Sequence, residues 1–295
     1  MATAHGSYYL PDPSPWPVIT SIGLFSLALG FILLINDVGV GPWLMLIGAA
    51  IIFYVMFRWF GQVIGESESG LYDKQVDHSF RWSMAWFIFS EVMFFGAFFG
   101  ALFYVRIFAV PWLADTQLLW PGYEGIWPTA GPEGQTMLPV GEIPADINTQ
   151  FSPMAAWGVP ALNTLILLSS GVTITIAHWG LLKDNRGQAV TFQFLTVCLG
   201  ILFLGFQAGE YVHAYKELGL TLGTGVYGAT FFMLTGFHGF HVTMGTIMLI
   251  TILVRLIKGH FTPDQHFGFE AVAWYWHFVD VVWLFLFVFV YWLAA

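Results

Sequence analysis

The sequence predicts an all-α integral membrane protein with seven transmembrane helices. Apolar residues make up 57% of the 295-residue chain and charged residues only 9%, too few to cover a water-facing surface. The apolar runs are continuous rather than alternating, which favours helices over a β-barrel. These observations exclude the folds of soluble enzymes.

Seven apolar segments reach the length of about 20 residues that a spanning helix needs. They are Pro17–Ile35, Pro42–Ile64, Phe80–Phe108, Ala155–Leu182, Ala189–Tyr211, Tyr227–Ile257 and Ala271–Leu293. The predicted organisation is a cytoplasmic tail over 1–16, two helices in 17–64, a cytoplasmic loop over 65–79 and five helices in 80–295.

The basic residues predict the orientation of the bundle. If the N-terminus is cytoplasmic, seven of the nine fall at the inner ends of the helices, and only Arg106 and Lys216 fall at the outer ends. The inner seven are Arg58, Lys74, Arg81, Lys183, Arg186, Arg255 and Lys258. Because the number of spans is odd, Ala295 is predicted to lie outside.

A single large loop over 109–154 joins the third and fourth segments. It contains seven prolines, so we expect no helix in it. Its five acids, without Lys or Arg, fit a solvated outer cap better than a docking surface for a basic partner. These acids are Asp115, Glu124, Glu133, Glu142 and Asp146.

Several classes of function are unsupported by the sequence. The net charge of −9 argues against nucleic acid as a partner, and the lone Cys198 excludes an internal disulfide. No Gly-rich phosphate loop, catalytic triad or metal-ligand cluster is recognisable, so we predict neither a catalytic nor a metal site. The first 16 residues show no basic region of a cleavable signal.

Glu91 lies about 11 residues into the third segment. Because about 11 helical residues span roughly 16 Å, its carboxyl is expected near the middle of the membrane. Ionisable groups at this depth are functional candidates. The small residues Ala85, Gly96 and Gly100 lie on another face, so we expect the close helix contact there. Glu91 would then face a cleft, a lipid or a water pocket. The alternative is an uncharged carboxyl hydrogen-bonded to a neighbouring helix.

Two other acids lie within apolar segments. Asp280 follows His277 by three residues, so the two share a helix face and are predicted to pair, either structurally or in a proton-related role. Glu210 lies near the outer end of the fifth segment. We expect interfacial water to reach it and give it no special role.

Histidines leave one redox hypothesis open. Haem ligation would need imidazoles on facing positions of different helices, and the candidates are His178, His238, His241 and His277. Isolated membrane histidines more often make hydrogen bonds inside a bundle, and that interpretation is preferred.

Cations and an aromatic residue mark the inner ends of the second and sixth segments. Arg58 precedes Trp59, and Arg255 precedes Lys258 and His260. A cation beside an interfacial aromatic ring suits a lipid headgroup phosphate. Snorkelling side chains would give the same pattern, so both interpretations remain.

The sequence strongly resembles subunit III of the haem–copper cytochrome c oxidases over nearly its whole length. The most specific stretch begins His266-Phe-Gly-Phe-Glu-Ala-Val-Ala-Trp-Tyr-Trp-His-Phe-Val-Asp-Val-Val-Trp and continues to Trp292. Others are Tyr227–Gly245, Ser90–Phe95 and Leu162–Trp179.

The resemblance implies a split bundle without a redox centre. Helices one and two would lean away from helices three to seven, leaving a V-shaped cleft that holds phospholipids. Glu91 matches the family's carboxylate in that cleft. Trp59, Arg255 and His260 match family positions near lipid headgroups.

The implied role is that of a non-redox accessory subunit of a cytochrome c oxidase. It would bind phospholipid, support the catalytic subunit and help to sustain proton uptake. The implied partners are oxidase subunits I and II, which hold haem and copper, and cytochrome c through the complex. Subunit III of a quinol oxidase and an independent proton-conducting protein are the alternatives.

The chain departs from the family pattern in the loop after helix two. Relatives often carry a Gly-His sequence there, whereas this chain reads Gly70-Leu71-Tyr72-Asp73. The outer loop over 109–154 also looks longer than in mitochondrial members. Together with the plain N-terminus, this favours a bacterial inner-membrane protein.

Overall fold

The computed structural model describes residues 9, 13–132 and 151–293. Within these ranges the chain is helical and contains no strand, and seven helices are long and apolar enough to cross a membrane. The predicted all-α class and number of spans are therefore confirmed. Glu133, Glu142, Asp146 and Ala295 lie outside the described residues.

The helices follow the chain in the order α1 to α8. Their bounds are α1 Trp16–Ile35, α2 Gly41–Glu68, α3 Lys74–Tyr104, α4 Val110–Asp115, α5 Val159–Leu182, α6 Arg186–Lys216, α7 Gly225–Lys258 and α8 Phe267–Leu286. π-Helical turns over Val105–Ala109 and Phe287–Trp292 continue α3 and α8.

Local sequence signals explain several helix ends. Proline occupies the first turn of α1, α2 and α5, where its missing N–H has no helical partner to lose. Asn185 caps α6 by accepting a hydrogen bond from the Gln188 N–H at 3.1 Å. Gly259 ends α7 with a left-handed φ of 78°, just after the cations Arg255 and Lys258 in its last turn.

The loop between α2 and α3 is shorter than the predicted stretch of 65–79, because both flanking helices extend into it. Asp73 caps α3 by accepting a hydrogen bond from the Val76 N–H at 2.8 Å. The Tyr72 hydroxyl donates to Glu66 at 2.7 Å, and its ring packs on Phe80. Burial first, then the hydrogen bond and negative charge of Glu66, raise the pKa of Tyr72. Two of the four residues that depart from the family pattern, Tyr72 and Asp73, therefore have structural roles.

The expectation that no helix occurs in the loop over 109–154 is wrong at its beginning. The third spanning helix runs on through α4 to Asp115. A π-helical turn precedes Pro111, which lies in the first turn of α4. Since proline lacks an N–H and clashes with the carbonyl four residues back, it is tolerated where that hydrogen-bond pattern is interrupted.

The chain divides into two compact units, Met1–Trp82 and Ser83–Ala295, each described by itself. In the first, α1 and α2 approach closely through glycines. A Cβ built at Gly48 would lie 2.7 Å from the Gly23 carbonyl oxygen, and one at Gly30 would lie 2.6 Å from the Met45 nitrogen. Glycine is thus required at these positions for the two backbones to meet.

The second unit is organised around Trp276 of α8, which is fully buried. Its indole N–H donates to Ser170 Oγ on α5 at 2.8 Å. A Cβ built at Gly245 of α7 would lie 2.8 Å from the same ring, and one at Gly200 of α6 would lie 3.0 Å away. One side chain therefore contacts three other helices.

Candidate functional site

The deep carboxylate of Glu91 is paired with His241. Glu91 lies on α3 and His241 on α7, and Oε2 of the carboxylate is 2.9 Å from Nε2 of the imidazole. Only 21% of the Glu91 side chain and 10% of the His241 side chain is exposed. The two residues form a buried polar contact between two spanning helices.

The hydrogen bond made by Nδ1, the other ring nitrogen of His241, determines how many protons this pair holds. Nδ1 lies 2.7 Å from the carbonyl oxygen of Phe237, which can only accept, so Nδ1 carries a hydrogen. The contact between Nε2 and Glu91 then holds one proton, shared as imidazolium–carboxylate or as imidazole–carboxylic acid. Because the pair is electrically neutral in both forms, it is tolerated far better at membrane depth than an isolated charge.

Aromatic rings enclose the imidazole of His241. The ring centroids of Phe95 and Phe94 lie 5.0 and 6.0 Å from it. Those of Tyr275 and Phe278 each lie 6.4 Å away. These rings limit the access of water to the pair and so strengthen the electrostatic contact within it.

One expectation about α3 is wrong, and one alternative is observed. Glu91 is hydrogen-bonded to a neighbouring helix, which is the alternative given for it above. Gly96 and Gly100, predicted to make the close helix contact, have no atom within 4 Å of a Cβ built there. The face that carries Glu91, Phe94 and Phe95 packs instead, because His241 on α7 supplies a hydrogen-bonding partner that the local pattern of α3 does not show.

His277 and Asp280 share a face of α8, as predicted. Nδ1 of His277 lies 3.8 Å from Oδ2 of Asp280, and Nε2 lies 3.3 Å from the hydroxyl of Thr175 on α5. A Cβ at Gly171 would overlap the Asp280 carboxylate, so glycine on α5 makes room for this acid. The cluster joins α5 to α8.

Glu210 is buried, which contradicts the expectation that interfacial water reaches it. It is 4% exposed, and Gln207 on the same helix is 6% exposed. The Tyr291 hydroxyl, in the π-helical turn after α8, is the polar group beside both side chains. His213, three residues after Glu210, pairs with the exposed Glu217, and its Nδ1 lies 2.9 Å from Oε2 of that residue.

Protein groups engage the four histidines of the haem hypothesis. His238 Nε2–H donates to the Val279 carbonyl at 3.2 Å, while His241 and His277 have the contacts given above. The ring of His178 packs on those of His266 and Phe269. The hydrogen bonds of His238, His241 and His277 are typical of core histidines and favour that interpretation over haem ligation for these three.

The residues predicted to contact lipid are divided between the two units. Arg255 lies at the end of α7, with its guanidinium carbon 4.3 Å from the ring centre of Phe261, and His260 follows in the same turn region. Arg186 donates to the Ile257 carbonyl and so caps α7. Trp59, 37% exposed, belongs to the first unit.

Sequence reasoning missed a group of three potential metal ligands. His178 of α5 meets His266 and Glu270 at the start of α8, and one donor atom from each lies within 4.8 Å of the other two. The spacing of four residues between His266 and Glu270 could have indicated two of the three members of this group. The contribution of His178 depends on how α5 packs against α8.

Comparison with known proteins identifies the family. The model of the family described as "Cytochrome c oxidase subunit III" matches residues 5–137 and 134–295. The chain is 44% identical over 275 residues to "Cytochrome c oxidase subunit 3" of Marchantia polymorpha, covering 93% of this chain and 91% of that protein. The chain belongs to the cytochrome c oxidase subunit III family.

Other relatives of the same name show similar coverage. That of Arabidopsis thaliana is 42% identical over 278 residues, which is 93% of this chain and 92% of the relative. That of Latimeria chalumnae is 39% identical over 289 residues, which is 95% of each chain. The chain is therefore a multi-pass membrane subunit of an oxidoreductase complex, and no catalytic site in it is indicated.

Replacing Glu91 with alanine should destabilise the chain by about 1–3 kcal/mol, because His241 loses a buried partner. Glu91→Gln should lose less, since its amide can donate to Nε2. The matched control is Glu217→Ala, which removes the partner of the exposed His213 and should cost close to nothing. Unfolding in detergent, followed by tryptophan fluorescence, measures these costs. Equal stability of the Glu91→Ala and Glu217→Ala variants would contradict the importance of the pair.

Proposed function

We propose that the chain is a non-redox accessory subunit that supports the catalytic subunit of a cytochrome c oxidase, binds structural phospholipid and helps to sustain proton uptake. The main support is the engagement of the imidazoles of His238, His241 and His277 by protein groups. Because these rings already have structural partners, haem and copper are assigned to the partner subunits.

The cations at the end of α7 support lipid binding. Arg255, Lys258 and His260 lie within six residues, and Phe261 supplies an apolar ring beneath the Arg255 guanidinium. A phosphodiester headgroup would accept charge-assisted hydrogen bonds from such cations while its acyl chains contact apolar side chains. Trp59, nine residues before the end of α2, is the corresponding candidate in the first unit.

The contacts of the deep acids favour an accessory role over independent proton conduction. Glu91 pairs with α7, Asp280 lies beside His277 and α5, and Glu210 lies beside Tyr291. A proton relay needs a chain of ionisable or water-holding groups across the bilayer. Glu91 and Asp280 are instead each held in a polar contact of their own, and the three acids lie on three different helices. A proton retained by the Glu91–His241 pair is the feature most compatible with a supporting role in proton uptake.

The proposed partners are oxidase subunits I and II, with cytochrome c reached through the complex. The named relatives are organellar. The long loop over 109–154 is the reason to propose the bacterial inner membrane for this chain. Fractionation that places it in another membrane would contradict that location.

A tagged copy purified in mild detergent tests the accessory role. We expect haem absorbance to copurify with the chain and to leave when the partner subunits are stripped away. Haem that stays with the isolated chain would support the redox hypothesis instead. An eluate without haem before stripping would contradict membership in a working oxidase.

Replacing Arg255 with alanine should lower the number of phospholipids retained by the purified complex, because one charge-assisted headgroup contact is lost. Arg255→Lys keeps the charge and should retain more lipid. Lys216→Ala, which removes a cation at the other end of the bundle, is the control. Native mass spectrometry counts the lipids. Equal counts in Arg255→Ala and Lys216→Ala would contradict the proposed contact.

A further inference from the structure

We propose that His178, His266 and Glu270 form a binding site for a divalent transition-metal ion, with Zn²⁺ as the ion whose preferences they fit. One donor atom from each residue lies within 4.8 Å of the other two. Two imidazoles and one carboxylate are a ligand set that zinc accepts, with a fourth position left for water. Such an ion would be non-redox and would tie α5 to α8.

The arrangement of the helices brings these donors together at one end of the bundle. His178 lies one turn before the end of α5 at Leu182, while His266 precedes α8 and Glu270 lies in its first turn. The ring centroids of His178 and His266 are 5.3 Å apart. Because the site lies at helix ends, an ion can reach it without crossing the apolar middle of the bundle.

His266 provides an independent indication of a ligand. Its side chain is 10% exposed, and Nε2 lies 4.0 Å from Oε2 of Glu270. That distance is too long for a hydrogen bond. The other nitrogen, Nδ1, is buried and has no hydrogen-bond partner within the described ranges of the chain. A buried imidazole nitrogen without a hydrogen bond gains a strong partner when a metal ion binds it.

The nature of the donors distinguishes zinc from magnesium and calcium. Hard cations prefer shells of oxygen ligands, whereas two of the three donors here are imidazole nitrogens. Donor atoms at 2.0–2.2 Å from a tetrahedral ion lie closer together than the present 4.0 Å between His266 and Glu270. Binding therefore requires a small inward rotation of these side chains.

Zinc binding by the purified oxidase complex that contains this chain tests the proposal. The complex is first treated with a chelator and dialysed. Equilibrium dialysis with radioactive Zn²⁺ at micromolar concentration should then show one more bound zinc ion in the complex that contains the parent chain than in the complex that contains Glu270→Gln. His178→Gln and His266→Gln should behave like Glu270→Gln. Each change should weaken this site at least about tenfold, since even substitutions around metal ligands have effects of that size.

The control variant is His213→Gln. It removes a histidine that also pairs with a glutamate four residues later, but at the other end of the bundle, and its zinc content should equal that of the parent. Equal zinc in the parent and the three ligand variants would overturn the site, because any ion bound would then lie elsewhere.

A second measurement needs no variant and remains decisive if a substitution prevents assembly. Anomalous diffraction at the zinc edge, from zinc-treated crystals of the parent complex, should show a peak between the side chains of His178, His266 and Glu270. A map with density for these side chains and no peak between them would overturn the proposal. Neither experiment depends on whether the chain retains lipid or supports proton uptake.

Discussion

The packing of Trp276 is the contact on which the five-helix unit depends. Inside a membrane, apolar side chains gain little by leaving lipid for protein, so helices associate through close packing and hydrogen bonds. Trp276 supplies both, because its ring fills the space left by Gly200 and Gly245 and its N–H reaches Ser170. The same helix carries Asp280 and is preceded by His266, so the position of α8 determines both polar clusters at its contact with α5.

Polar contacts between helices, in which Glu91 and His277 are partly exposed, give this bundle specificity that apolar packing alone does not provide. Glu91 and His241 join α3 to α7, while His277, Asp280 and Thr175 join α8 to α5. Misplacing either pair would leave a polar group in an apolar environment, which is costly. These contacts therefore fix which helix faces meet. They also place a neutral, proton-holding pair at the position where the family resemblance implies a lipid-facing carboxylate.

The sequence was sufficient for features that depend on local composition and periodicity. Seven apolar runs gave the correct number of spans, and the three-residue spacing predicted the shared face of His277 and Asp280. The partner of Glu91 could not be predicted, because His241 is 150 residues away in the chain. The burial of Glu210 was missed because it depends on the packing of other helices, which the pattern of its own helix does not show. The short helix after Pro111 required knowledge of the π-helical turn that precedes it.

The most direct test of this account compares the unfolding free energies of Trp276→Phe and Trp179→Phe. Trp276 is fully buried and hydrogen-bonded, whereas Trp179 is 54% exposed. The account predicts a loss of about 2 kcal/mol or more for Trp276→Phe, from the cavity and the lost hydrogen bond, with little change for Trp179→Phe. Amide exchange should rise together in α5, α6, α7 and α8. Equal stability of the two variants would contradict the central role of Trp276.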